Sequence, residues 1–229
     1  LALHDLKNYS VLITGGGSGI GEGAARYLAA HGALVTISGR RVERINQVAK
    51  DLGDGVVAVQ GDVTVAADRQ RMVEAAIAHG NGLDGLVNNA GNMYRGPLVE
   101  LNESELRAIF DSNVVAPMLL TGLATPALAK SNGAVVFLGS IHNRRAFPGV
   151  SPYAATKGAI EALTRSLAAE LGNDQALARL QGMAGSHALG RIGTAEEVAE
   201  AITYLLQAQW TTGAIVDVDG GLGLGLSSD

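Results

Sequence analysis

The sequence predicts a parallel α/β fold, a sheet flanked by helices, and three observations carry that prediction. Short β-rich apolar runs alternate with helix-like stretches, which is the order a parallel sheet with crossover helices requires. Many of the 31 glycines fall at the ends of those runs, where tight strand-to-helix turns need them. Of the 229 residues, 47% are hydrophobic, enough to bury one sizeable core, so a single domain over 1–229 is expected.

The first strand, Tyr9 to Thr14, runs into Thr14-Gly15-Gly16-Gly17-Ser18-Gly19-Ile20-Gly21. Glycines there permit a tight turn and close backbone approach, and the N-terminus of the helix that follows attracts phosphate, so a pyrophosphate fits this turn. A helix is expected over Gly21 to His31, a strand over Leu34 to Ser38, a helix over Val42 to Leu52 and a strand over Val56 to Gln60. A helix over Ala66 to His79 precedes a fourth strand, Gly85 to Asn88, and a fifth strand covers Ala134 to Gly139. Helical spacing returns at Tyr153 to Leu171 and at Ala195 to Leu206, and Ala214 to Val218 reads as a last strand.

Composition narrows the function classes. A net charge of −5 argues against nucleic acid as the main partner. The absence of cysteine excludes disulfides and thiolate metal sites, and no metal-ligand spacing occurs. No window of uninterrupted apolar sequence is long enough to span a membrane, and Leu1-Ala2-Leu3-His4-Asp5 does not look like a secretory leader, so a soluble cytoplasmic protein is expected.

The chemistry centres on Tyr153 and Lys157 in Ser151-Pro152-Tyr153-Ala154-Ala155-Thr156-Lys157. On a helix, positions i and i+4 share a face, so the phenol and the ammonium project into one pocket. A nearby cation favours the phenolate and tunes an otherwise poor base. Ser140 lies thirteen positions upstream, and together the three suggest a site that reduces carbonyls or oxidises alcohols.

With the TGGGSGIG turn, Asp62 in Gly61-Asp62-Val63, Asn88-Asn89-Ala90-Gly91 after the fourth strand, Asn113, Ser140, and Tyr153 with Lys157, the chain resembles the short-chain dehydrogenases/reductases over nearly its whole length. The resemblance implies a Rossmann-like doubly wound sheet in a three-layer sandwich, NAD(H) or NADP(H) as cofactor, and a small carbonyl or alcohol substrate. It implies that Tyr153 exchanges a proton with the substrate oxygen while Ser140 hydrogen-bonds that oxygen. Lys157 would lower the tyrosine pKa and, with Tyr153, bind the cofactor at the nicotinamide ribose, and Asn113 would help organise a water relay to Lys157. Gly15, Gly17, Ser18, Gly19, Ile20 and Gly21 would hold the pyrophosphate; Asp62, Val63, Asn89, Ala90 and Gly91 would line the adenosine side.

An acid at the end of the second strand commonly grips the ribose of NAD, but Gly39 occupies that position. Arg40 and Arg41 follow, and a guanidinium holds a 2′-phosphate through paired charge-assisted hydrogen bonds. NADP(H) is therefore expected over NAD(H); the alternative is that both arginines are solvated at the start of the next helix.

After the Tyr153 helix the family pattern continues with a sixth strand, a Pro-Gly turn and a segment over the substrate, and all three are missing after Leu171-Gly172-Asn173. Losing a central strand would expose the edges of its neighbours, so a gap near 173–174, with residues omitted from the sequence as written, is expected rather than a true deletion. Met93, Tyr94, Arg95, Ile141, His142, Asn143, Arg144, Arg145 and Phe147 remain as candidate pocket residues, with Arg144 and Arg145 either drawing an anionic substrate or solvated. Ala154, Ala155, Gly158, Ala159, Ala162 and Ala169 let another helix approach the Tyr153 helix closely, and the resemblance implies a homo-oligomer, a tetramer or a dimer. A catalytically silent cofactor sensor of the same fold is the rival expectation, and a sugar epimerase of the extended branch would need a longer C-terminal domain than this chain has.

Overall fold

The computed structural model describes residues 6–171, 194–208 and 215–218. Five strands, β1 (Ser10–Thr14), β2 (Leu34–Gly39), β3 (Val56–Gln60), β4 (Gly85–Asn88) and β5 (Ala134–Phe137), form one parallel sheet in the order β3-β2-β1-β4-β5. Between them run α1 (Gly19–Ala30), α2 (Val42–Leu52), α3 (Ala66–Gly80), α4 (Glu103–Phe110) and α5 (Ala116–Ser131), followed after β5 by α6 (Ser151–Leu171) and α7 (Ala195–Gln207). β1 pairs with β2 on one side, Val11 opposite Val35, and with β4 on the other, Val11 opposite Gly85. The strand order thus reverses between β1 and β4, and such a switch point opens a crevice at the carboxyl ends of the strands.

Alternating strand residues face opposite layers, because successive side chains in a strand point to opposite sides of the sheet. Val11, Ile13, Val87 and Val136 pack with Ala24, Leu28, Ile45, Val48, Ala199 and Ile202, which places α1, α2 and α7 on one face. Leu12, Leu86, Val135 and Phe137 pack with Met72, Ala76, Leu120, Leu128 and Ile160, which places α3, α5 and α6 on the other. The result is the expected doubly wound three-layer sandwich, with β1 fully buried along its length. Tyr9 fastens α7 to the sheet, its hydroxyl donating to the carbonyls of Asp84 and Leu206, each at 3.1 Å.

One expectation needs correction. Ile215–Val218, within the expected strand Ala214 to Val218, forms no strand. An alternating apolar run becomes a strand only when a neighbouring edge supplies ladder hydrogen bonds, and these residues pair with none of the five strands. Instead Val216 packs against the α1/α7 cluster and Asp217 pairs with Arg144 at 3.1 Å. The continuous helical run Glu103–Ser131 contains an 18-residue window of mean hydropathy 1.3, which by length and composition alone is enough to cross a membrane. In the fold it covers the sheet with Leu120, Ala124 and Leu128, and it carries the buried polar residues Ser112 and Asn113 at its middle. The expected gap near 173–174 lies outside the described residues.

Candidate active site

The glycine turn is built by steric necessity. Gly15 has φ +68°, a conformation that L side chains rarely adopt, and a Cβ on Gly21 would collide with the Asn89 amide and the Gly15 carbonyl. Asn89 locks the turn, its Nδ2 donating to the carbonyls of Thr14 at 2.8 Å and Gly15 at 3.2 Å. Thr14 Oγ1 in turn accepts from the backbone N–H groups of Asn89 and Ala90, each at 3.0 Å. The NNAG segment therefore holds the phosphate turn in shape as well as walling the crevice.

At the switch point lies a cavity of about 550 Å³. Gly15, Gly17, Ser18, Arg40, Arg41, Asp62, Val63, Asn89, Ala90 and Gly91 line it, all expected from the sequence. Gly19, Ile20 and Gly21 do not line it; Ile20 packs against the core and the two glycines shape the turn. Arg44, Thr64, Asn92, Asp111 and Ser112 join the wall without having been expected. Arg44 follows from helical geometry, lying on the first turn of α2, where it shares the rim with Arg40 and Arg41.

The rim chemistry suits an anion. Arg41 donates to Ser18 Oγ at 3.1 Å, and Arg40 stands 3.8 Å from Asp62 in a loose, largely exposed pair. Ser38 Oγ is buried on the cavity wall and has no hydrogen-bond partner. Asp62 Oδ1 accepts from Thr64 N and Oγ1 at 2.9 and 2.8 Å, an Asx turn that fixes the far wall.

Ser140, Tyr153 and Lys157 form a separate group off this wall. Ser140 caps the short turn Ile141–Asn143 after β5, and its Oγ accepts from His142 N at 3.3 Å. His142 Nδ1 lies 2.9 Å from the same oxygen, and the imidazole meets the Tyr153 ring edge-on at 5.6 Å between centroids. Lys157 Nζ donates to the Leu138 carbonyl at 2.6 Å and lies 5.6 Å from the Tyr153 ring centroid.

Asn113 joins the two parts. It sits in a π-helical turn, Asp111–Val115, between α4 and α5. Its Nδ2 donates to the Asn92 carbonyl at 2.8 Å and to Thr156 Oγ1 at 3.1 Å, while its Oδ1 accepts from Asn92 N at 2.7 Å and Ser112 Oγ at 3.1 Å. All four side-chain hydrogen-bonding positions are thus filled by protein, so the side chain clamps the cavity wall to α6 one residue before Lys157.

Electrostatics follow burial. Burial pushes the Tyr153 phenol above its usual value, partly offset by the Ser140 hydroxyl. The expected lowering by Lys157 is absent from this ligand-free chain. Burial holds Lys157 itself down at about 8, and its ammonium is committed to Leu138 rather than to the phenol oxygen. His142 is held below its ordinary value by burial and by Arg95. Of the remaining pocket residues, Arg144 is neutralised by Asp217 and Glu161, whereas Arg145 lies over the Phe147 ring at 5.5 Å.

A positioned hydroxyl, a protonated phenol and a buried ammonium, beside a glycine-walled crevice with a cationic rim, can protonate an oxygen as hydride arrives at its carbon. Residues 9–184 match the family model for the short chain dehydrogenases. The chain belongs to that family. Among solved structures this short-chain dehydrogenase is similar to the 3-ketoacyl-(acyl-carrier-protein) reductase of Brucella melitensis complexed with NADH, at a TM-score of 0.91 and 31% identity over 95% of this chain and 99% of that one. It is also similar to a short chain dehydrogenase of Burkholderia cenocepacia J2315 in complex with NADP, at a TM-score of 0.88 and 28% identity over 95% and 98%. A 3-oxoacyl-[acyl-carrier-protein] reductase of Chlamydia muridarum is 30% identical over 243 residues, covering 95% of this chain and 98% of its own length. The match covers 95% of the 229 residues here, about 218, against 243 matched positions, so the Chlamydia relative carries about 25 residues more within the matched span. Fold and family together make the chain an oxidoreductase of the NAD(P)(H)-using type.

Proposed function

We propose that this protein is an NADP(H)-dependent oxidoreductase that transfers hydride between the nicotinamide and a ketone or secondary alcohol, with Tyr153 passing the proton. The observation that carries the proposal is the convergence of Ser140, Tyr153 and Lys157 at the carboxyl end of the sheet, tied through Asn113 to the cofactor crevice. When bound, the nicotinamide supplies the hydride. Tyr153 gives a proton to the carbonyl oxygen, Ser140 steadies that oxygen, and Lys157 holds positive charge beside both. The test is turnover of NADPH with ethyl acetoacetate and phenanthrenequinone as probes, in the wild-type chain and in Tyr153→Phe.

The NADP(H) preference rests on the rim. With Gly39 in place of an acid, Arg40, Arg41 and Arg44 line the same cavity as the partnerless hydroxyl of Ser38, a set of donors a 2′-phosphate would engage. Arg40→Ala is expected to weaken NADPH binding by about tenfold or more while leaving NADH within about twofold, the scale of one charge-assisted contact. A fluorescence titration with each cofactor checks it, and equal losses for both would sink the assignment.

A homo-oligomer, dimer or tetramer, is the assembly we propose. Val115, Met118, Leu119 and Leu123 form an exposed apolar stripe along α5, and the exposed Ala155 and Ala162 leave α6 smooth. Light scattering on the purified chain should give a mass at least twice the chain mass of 23.4 kDa, and Leu119→Glu should lower it. A monomer in both would remove the proposal. We propose that residues are missing from this sequence near 173–174; the excess of about 25 residues in the Chlamydia relative is the length a strand, a turn and a short connecting segment need, and an intact mass of 23.4 kDa would refute the proposal in favour of a true deletion.

A further inference from the structure

Ser140 has one proton and two lone pairs, and the structure gives each of them a competitor. One lone pair takes the His142 backbone N–H at 3.3 Å. The His142 imidazole approaches at 2.9 Å through Nδ1, and the direction of that hydrogen bond is decided by the tautomer. If Nδ1 is bare, the contact consumes the Ser140 proton, and the hydroxyl has nothing left to donate to a substrate oxygen. If Nδ1 carries the proton, it fills the second lone pair, and the Ser140 proton is free to point at the oxygen that gains charge.

We propose that His142 is a positioning residue that donates its Nδ1–H to Ser140 Oγ and thereby aims the Ser140 proton at the reacting oxygen. The proposal rests on the reductase reading above. The ring is held for this task from two sides, by Phe147 at 4.6 Å between centroids and by the edge of Tyr153 at 5.6 Å.

Burial, with the Arg95 charge beside it, holds the His142 pKa below its ordinary value, so the ring is neutral at neutral pH. Arg95 faces it from the loop after β4, the Tyr153 ring, with Lys157 5.6 Å from its centroid, faces it from α6, and Arg144 and Arg145 flank it on its own loop, with Arg144 countered by Asp217 and Glu161. A neutral ring with Nδ1–H and an imidazolium both donate from Nδ1. The hydrogen bond to Ser140 therefore survives the titration of His142, and no step in kcat is expected as pH falls through it. A ring bare at Nδ1 would instead gain its donor only on protonation and would give a rise in kcat on the acid side.

The test combines a spectroscopic readout with kinetics. In the uniformly 15N-labelled chain, whose five histidines are separated by comparison with His142→Asn, the His142 Nδ1 should show a protonated, pyrrole-type shift at neutral pH. It should change in Ser140→Ala. His142→Phe keeps the ring packing but has no N–H, and should lower kcat with ethyl acetoacetate about tenfold with KM for NADPH unchanged. His142→Asn, whose side-chain N–H can reach the same oxygen, should restore most of the loss. A bare Nδ1 at neutral pH, an acid-side rise in kcat, or wild-type kcat in His142→Phe would each overturn the proposal. The tautomer is read without turnover, so failure of the wild-type chain to oxidise NADPH would count against the reductase reading alone, and a protonated Nδ1 would still support the Ser140 contact.

Discussion

Replacing Tyr153 by phenylalanine is expected to lower kcat for carbonyl reduction by about 10²- to 10⁴-fold, the usual worth of one positioned general acid, and to leave NADPH affinity within about threefold because the ring stays and only one hydroxyl contact is lost. In the proposed reaction, and among the described residues, the phenol is the group placed to follow hydride with a proton onto the carbonyl oxygen. Lys157 is committed to the Leu138 carbonyl and Ser140 is a far weaker acid. Burial raises the phenol pKa above 10, so at neutral pH Tyr153 is protonated and already in the form reduction consumes. The reverse reaction needs the phenolate. Alcohol oxidation in the wild-type chain should therefore climb with pH and still be rising at pH 10, while reduction declines over the same range. Stopped-flow traces of NADPH with ethyl acetoacetate, beside a fluorescence titration of NADPH, separate the two effects. Parallel loss of binding and turnover would make Tyr153 a cofactor-holding residue, and unchanged turnover would remove it from the proton path.

The five sheet strands and helices α1, α2, α3, α6 and α7 were legible because their signals are local. Buried parallel strands read as apolar runs, and α2 carries a clean one-faced pattern that places its ends where the structure has them, Val42 and Leu52. Helices α4 and α5 gave no such signal. In α5 the apolar residues run round the helix, with Leu120, Ala124 and Leu128 against the sheet and Met118, Leu119 and Leu123 exposed, and Pro126 interrupts it. Nor does any residue type announce the π-helical turn at Asp111–Val115, although that turn carries the buried Asn113 that meets both Asn92 and Thr156.

Within the candidate site the sequence placed Tyr153, Lys157 and Ser140 as neighbours, since Tyr153 and Lys157 are one helical turn apart and motif order brings Ser140 to the end of β5, and the structure brings the three together. What it could not name were contacts that depend on where loops close. The Lys157 bond to the Leu138 carbonyl spans nineteen residues, and the clamp of Asn113 on Thr156 spans forty-three. His142 had a usable local signal that went unread: a serine capping a short turn accepts from the residue two positions on, so the side chain at that position is carried to the serine as well.

Lys157→Met should abolish measurable turnover and yet leave the chain at least as stable at pH 7 as the wild type. A buried ammonium is costly, and this one is nearly sealed from water, which holds its pKa at about 8 against 10.5 when unfolded. Below pH 8 both states hold the proton and the fold bears the full penalty, about 3 kcal/mol from the size of the shift. Between pH 8 and 10.5 the unfolded chain keeps a proton that the folded chain has released, so stability of the wild type rises with pH there. Above pH 10 the raised Tyr153 works in the opposite sense, because the folded chain then keeps a proton that the unfolded chain has lost. Methionine fills much of the same space without the charge, but it leaves the Leu138 carbonyl without its donor at a cost of about 1–2 kcal/mol, so the net gain at pH 7 is about 1–2 kcal/mol. Urea unfolding of both chains at pH 7 and about pH 9.5 reads the difference. The wild type should gain stability between the two and the variant should not. A variant that is much weaker at pH 7, or that keeps the alkaline gain, would mean that Lys157 is not the group whose burial strains this fold. The expected outcome would show instead that the charge is kept at the expense of stability, for the chemistry beside Tyr153.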